Sequence, residues 1–126
     1  MCIRDSSSYG NVDWLKEAHI QTVWMNPKDA EERGIKNDDL VFVYNERGTL
    51  RLPAKVTTRI VPGTISVPQG AWYDPKPDSE VAPPEGANPK KPVDVAGSVN
   101  TLTSLHPTPI AKGMGVHTVL AQVVKA

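Results

Sequence analysis

Hydrophobic and polar positions alternate most cleanly between Leu50 and Thr57. Leu50, Leu52, Ala54 and Val56 fall on one face, and Arg51, Pro53, Lys55 and Thr57 on the other. A period of two marks a strand with one buried side, and Pro53 within it points to a sheet edge or a bulge. Immediately upstream, Leu40-Val41-Phe42-Val43-Tyr44 is a β-rich run. Asn45-Glu46-Arg47-Gly48 joins the two as a hairpin turn, with glycine where positive φ is expected. Gln21–Met25 reads as a short strand, and Thr64–Val67 as another after the turn Val61-Pro62-Gly63. The last strand is expected from His117 to Val124, with Val119, Ala121 and Val123 on one face.

Helical signals are few. Asn26 is placed to cap, Pro27 suits the first helical position, acidic residues follow in the first turns, and Gly34 stops the segment. So short a helix needs a sheet to dock on. Asn11–His19 has room for two further turns, with Asp13 as N-cap and Trp14 as the expected anchor into the core. Between Tyr73 and Ala96 lie six of the twelve prolines and hardly any large apolar residue, so this stretch is expected to be a surface connection within one domain. Several short strands, one or two short helices and no repeat predict a mainly β barrel of about six strands with a long Pro-rich loop.

Composition narrows the chemistry. A mass of 13.7 kDa makes room for one domain. Fourteen basic residues balance fourteen acidic ones, which removes the electrostatic footprint of a nucleic-acid or anionic-membrane binder. Cys2 is the lone cysteine, so no internal disulfide, cysteine zinc site or thiolate cluster is expected, and His19, His106 and His117 lack metal-ligand spacing. No apolar run reaches the ~18 residues of a membrane span, and no signal-peptide core is present. Met1–Ser6 joins no pattern and resembles a translated adapter tail, leaving residues 7–126 as the domain and implying that the reading frame continues upstream.

No serine sits in a Gly-x-Ser-x-Gly elbow. Lys112-Gly113-Met114-Gly115 is better explained as a turn than as a phosphate loop, and Asp38-Asp39 as backbone capping than as acid–base chemistry. Three features remain. Trp72 and Tyr73 stand where a strand opens into the long loop, suited either to core packing or to lining a cleft. Asn100 lies in the uncharged hydrogen-bonding stretch Gly97-Ser98-Val99-Asn100-Thr101-Leu102-Thr103. Its carboxamide presents a donor beside an acceptor, which suits the edge of a fused heterocycle, although an asparagine taken alone more often satisfies a local turn. His117 follows the glycine-bearing turn and opens the final strand.

In chain order, Gly10–His19, Val23-Trp24-Met25-Asn26-Pro27, Asp29-Ala30, Arg33-Gly34-Ile35, Val43-Tyr44-Asn45, Arg47-Gly48-Thr49, Gly70–Pro75, Asn100-Thr101-Leu102-Thr103, Ala111-Lys112-Gly113 and His117-Thr118 form a series. It resembles the C-terminal domain of the catalytic subunit of the dimethyl sulfoxide reductase family, on the anaerobic, membrane-associated branch, over nearly all of Ser7–Lys125. The resemblance implies a six-stranded double-psi β-barrel forming one wall around a bis(molybdopterin guanine dinucleotide) molybdenum cofactor. It implies oxygen-atom transfer from S-oxides or N-oxides, with the hard chemistry carried by the cofactor.

Residue by residue, Asn100 falls on the family asparagine that bonds a pterin. Val116 and His117 fall on a cofactor-facing pair, where many relatives have glutamine in place of His117; only histidine can also change charge near neutral pH. Ser7, Ser8 and Tyr9 match a His-Ser segment whose histidine is Ser6 here, and Asn26 and Trp72 match positions near the cleft. Where the family commonly has Gly-Asp before the strand at Leu40, this chain has Asp38-Asp39, which tolerates left-handed geometry less well.

The serine ligand to molybdenum and the iron–sulfur cysteines belong to upstream domains of the family. The chain is therefore expected to be inactive by itself. Implied partners are the remainder of the catalytic subunit, an iron–sulfur electron-transfer subunit and a membrane anchor. The implied location is bacterial, membrane-associated or periplasmic, reached by a twin-arginine signal outside this chain. Two other classes stay open on the residues alone: a free-standing binding module using the aromatic loop face, and a pyruvoyl-type decarboxylase self-cleaving at Gly97-Ser98.

Overall fold

The longest strand organises the sheet. In a computed structural model, which describes residues 12–18, 20–113, 115 and 119–126, the elements run α1 (Asp13–Ala18), β1 (Val23–Met25), α2 (Pro27–Glu32), β2 (Leu40–Tyr44), β3 (Thr49–Val56), β4 (Ile65–Ser66), β5 (Pro75–Lys76), β6 (Val93–Asp94), a 3-10 turn (Val99–Thr101) and β7 (Gln122–Lys125). The seven described strands share one sheet with the path β4-β1-β3-β2-β7, and β6 joins it on β3 while pairing with β5. The domain is mainly β, as the alternating pattern requires. The count exceeds six because three of the strands are only two residues long.

The β2–β3 hairpin pairs Leu40 with Pro53 through Tyr44 with Thr49. The other edge of β3 serves two partners in succession, β6 in parallel at Thr49 and Leu50 and β1 in parallel from Ala54 to Val56. Pro53 sits in the gap between them. A central strand therefore tolerates proline here because its missing N–H falls where neither partner pairs.

Alternation places Val41 and Val43 of β2 against Leu50, Leu52 and Ala54 of β3. Val23, Met25, Ala30, Ile35, Leu102 and Val123 complete the core. Burying leucines such as Leu50 and Leu52 stabilises by about 1.5–3 kcal/mol each. Val119 and Ala121 pack partly against the core on the face expected for the last strand, although regular pairing begins only at Gln122.

The α2 signature is realised atom by atom. The Asn26 Oδ1 accepts the Lys28 N–H at 2.9 Å, Pro27 opens the helix, and Gly34 leaves it at φ 63°. Docking is through Ala30, which is 2% exposed. Two expectations need correction. Asp13 is the first residue of α1, not its cap, and Trp14 is 69% exposed rather than a core anchor. A single aromatic in a six-residue helix offers no periodicity from which its buried face could be read.

Asp38 adopts the left-handed φ of 66° that its position in the turn demands, so the aspartate carries the strain that glycine would avoid. The Asp39 carboxylate accepts from the Lys36 N–H at 2.9 Å and from the Lys125 ammonium at 2.8 Å, fastening β7 to the turn before β2. The Lys125 hydrogen bond, then the Lys36 backbone, holds this carboxyl below the usual range. A lowered folded-state pKa gives stability that is present above the ordinary carboxylate pKa and lost as pH falls through the lowered one. The Asp39→Asn variant is accordingly expected to show a shallower loss of stability below about pH 4, measured by urea midpoints on an acid series, and to differ little near neutrality because the pair is exposed.

The Pro-rich segment differs most from expectation. Its ends are not loop: Val93 and Asp94 are 0% exposed and pair with the central strand, and β5–β6 closes the base of the excursion. Val81 is also buried, at 7%. Tyr44 donates its hydroxyl to the Glu85 carbonyl at 3.3 Å, and Asn88 Nδ2 donates to the Glu46 carbonyl at 3.2 Å. These bonds pin the excursion across the outside of the β2–β3 hairpin.

Candidate functional site

A cleft of about 470 Å³ opens beside the 3-10 turn, lined by Arg47, Tyr73, Lys91, Pro92, Ser98, Asn100 and Thr101. That volume lies within the range of small-molecule and cofactor sites. Three parts of the chain meet here: the β2–β3 turn, the mouth of the Pro-rich excursion, and the stretch leading through Asn100.

The turn bearing Asn100 is anchored from beneath. Leu102 is buried, and its carbonyl accepts from Asn45 Nδ2 at 2.9 Å and from Arg47 Nε at 2.7 Å. Asn45 Oδ1 in turn accepts the N–H groups of Arg47 and Gly48 at 2.9 and 3.3 Å. One side chain thus shapes the hairpin turn and fixes the cleft wall. Gly48 was expected to supply positive φ, but it is absent from the positive-φ residues. It is glycine because of close approach: a Cβ there would lie 2.4 Å from Thr101 Cγ2 and 2.8 Å from the Thr101 carbonyl oxygen. Asn45 also donates to the Leu120 carbonyl at 3.3 Å, drawing the segment before β7 to the same end of the hairpin.

Asn100 is exposed on the cleft wall. Its backbone carbonyl accepts the Thr103 hydroxyl at 3.2 Å, while no described residue bonds its carboxamide. The turn is therefore made without the Asn100 side chain, which separates it from an asparagine serving local structure. Arg47 is half-buried and ion-paired to Glu46. With Lys91 it gives the cleft two cationic side chains. Of the two aromatics, Tyr73 lines the cleft and Trp72 does not; they are 53% and 52% exposed.

Asn26 is not brought to this cleft. Besides capping α2 it donates Nδ2 to the Ile60 carbonyl at 2.6 Å, so both ends of its carboxamide are engaged in holding the fold. Ser7, Ser8, Tyr9, Val116 and His117, also expected at the site, lie outside the described residues. Asn45, Arg47, Lys91 and Asp94 were not singled out by their chemistry, and Tyr73 only as one of a pair with Trp72. Only Asn45 carried a local signal, an asparagine three residues before a glycine in a hairpin turn.

The Gly97-Ser98 peptide has a packing explanation. Gly97 has φ 91°, and a Cβ would sit 2.6 Å from Gln21 Cγ and 2.9 Å from Leu52 Cδ2. Gln21 Nε2 donates to the Pro68 carbonyl and, at 3.5 Å, to that of Gly97.

A mainly β domain with a polar, cation-flanked cleft beside a free carboxamide defines a ligand-binding domain. The chain belongs to the family described as "Molydopterin dinucleotide binding domain", matched over residues 4–120. It is 48% identical over 122 residues to the putative dimethyl sulfoxide reductase chain YnfE of Escherichia coli K12, covering 97% of this chain and 14% of that protein. It is 44% identical over 120 residues to the dimethyl sulfoxide reductase DmsA of Haemophilus influenzae, covering 95% and 13%. The chain thus spans about one seventh of the length of these bacterial relatives. The structure is similar to acetylene hydratase from Pelobacter acetylenicus, with a TM-score of 0.66 at 18% identity, over 97% of this chain and 16% of that one; this likeness concerns the fold. Among the described residues no helix is long and apolar enough to cross a membrane.

Proposed function

We propose that this domain closes one side of a bis(molybdopterin guanine dinucleotide) site in a bacterial oxidoreductase that reduces S-oxides or N-oxides. The observation that carries the reading is the Asn100 carboxamide, exposed in the cleft with no partner among the described residues. A donor beside an acceptor matches the amide-like edge of a pterin. Arg47 and Lys91 suit the phosphates of the dinucleotide, and Tyr73 offers an apolar wall with a polar tip. When bound, the cofactor would supply oxygen-atom transfer at molybdenum; the residues here would bind, orient and help exclude water.

In this reading Val116 and His117 also serve the cofactor, as do Ser7, Ser8 and Tyr9. Trp72 flanks the cleft mouth, while Asn26 contributes through α2. The ligand to molybdenum comes from elsewhere in the catalytic subunit, so the 126-residue chain is inactive alone. Leu105, Ile110 and Leu120 are 100%, 97% and 90% exposed, and they suit burial against the remainder of that subunit. An iron–sulfur subunit and a membrane anchor complete the assembly, at the membrane or in the periplasm.

Metal and nucleotide analysis of the purified full-length subunit tests the assignment. The expected result is molybdenum and guanine nucleotide in a ratio of about one to two, as the bis form requires. A folded subunit free of both would overturn it.

A further inference from the structure

The Asp94 carboxylate is wholly buried on the two-residue strand β6 and faces three backbone donors. Its Oδ1 accepts the N–H groups of Asp74 and Ala96 at 3.0 Å each, and its Oδ2 accepts that of Ser98 at 2.6 Å. Asp74 returns the contact, its carbonyl accepting the Val95 N–H at 3.1 Å. One side chain therefore ties the mouth of the Pro-rich excursion, beside Tyr73, to the residues that lead into Asn100. Ser98 is the residue on which the 3-10 turn begins, and its carbonyl accepts the Thr101 N–H at 3.0 Å. A carboxylate satisfied by backbone N–H groups alone has no need of a cation, and a buried one holds its donors in a single geometry because leaving any of them unpaired is costly.

We propose that Asp94 is a positioning residue for the cofactor: through the Ser98 N–H it sets the height and orientation at which the Asn100 carboxamide enters the cleft. This rests on the reading of Asn100 as pterin-facing. It assigns a cofactor-related role to a buried side chain that does not line the cleft. Asp94→Asn is the sharpest change, because it preserves volume. A carboxamide oxygen can keep the Asp74 and Ala96 donors, and its NH2 then opposes the Ser98 N–H, donor against donor. The link to the turn is lost selectively.

Cofactor content per purified chain, read as released guanine nucleotide, is compared in the full-length subunit for Asp94→Asn, Asn100→Ala and the double variant. The expected result is a roughly tenfold weakening of cofactor retention for each single change, with no further loss in the double variant because both act through one contact. Losses that multiply would mean that Asp94 supports the fold generally, and would overturn the proposal. Asn100→Ala losing cofactor while Asp94→Asn keeps it would overturn the proposal and leave the reading of Asn100 standing. Full retention by Asn100→Ala would end that reading, and the proposal with it. If Asp94→Asn does not fold, exchanging the Ser98 N–H for a backbone ester oxygen decides by the same comparison, because it deletes the donor to Asp94 Oδ2, adds no atom toward it and keeps the Ser98 side chain. Retained cofactor in the Ser98 ester variant would then refute the positioning role.

Discussion

Gly97→Ala is expected to destabilise the domain by about 3 kcal/mol or more, because two separate costs fall on one methyl group. The backbone at φ 91° is strained for any residue with a Cβ, at roughly 1–3 kcal/mol. The methyl would also lie 2.6 Å from Gln21 Cγ and 2.9 and 3.0 Å from the two terminal carbons of Leu52. Leu52 is 2% exposed and enclosed by the core, so it cannot swing away, and overpacking adds about 1–3 kcal/mol. Gly63 separates the two costs. Its φ is 78°, yet nothing lies within 4 Å of a Cβ placed there, so Gly63→Ala should show the backbone cost alone. Urea unfolding of the three proteins is the measurement. A clearly larger midpoint shift for Gly97→Ala is expected; equal shifts would contradict the close packing of Gly97 on Leu52. Because Gly97 lies between Asp94 and Ser98, the same substitution should also disturb the approach to Asn100.

Much of the framework was legible because its signals are local and repeated. Leu50, Leu52 and Ala54 alternate with Arg51, Pro53 and Lys55, and the first three are buried. Asn26-Pro27 begins α2 through the cap that its side chains dictate. The hairpin ends fell where Tyr44 and Thr49 meet. What escaped reading depends on partners distant in sequence. Val93 and Asp94 are too few to show a period, and their burial comes from pairing with β3 more than forty residues earlier. Asp94 lies in a polar, Pro-rich stretch, and nothing adjacent in sequence reveals the three amides gathered around it. Gly48 was understood as a turn glycine, whereas the constraint is Thr101 pressing on it from another segment. At the cleft, Asn100 was legible from its uncharged surroundings. The preference for Tyr73 over Trp72 was not, because it depends on which way the chain leaves the sheet.

Asn100→Ala carries the second large effect, and it leaves the fold alone. The side chain bonds to no described residue and is exposed, so truncation should shift the unfolding midpoint very little. On the proposed pterin-facing role of Asn100, the change would strand polar atoms on a buried pterin edge in the loaded enzyme, costing about 1–3 kcal/mol of binding, or roughly 5- to 150-fold. Loss of cofactor with unchanged stability is a combination that a structural asparagine could not produce. The most direct measurement is therefore guanine nucleotide and molybdenum per chain in the full-length Asn100→Ala subunit, beside its thermal midpoint compared with wild type after both are freed of cofactor. A several-fold fall in both contents at an unaltered midpoint is the expected result. Wild-type contents of both would contradict the assignment of this cleft to the cofactor.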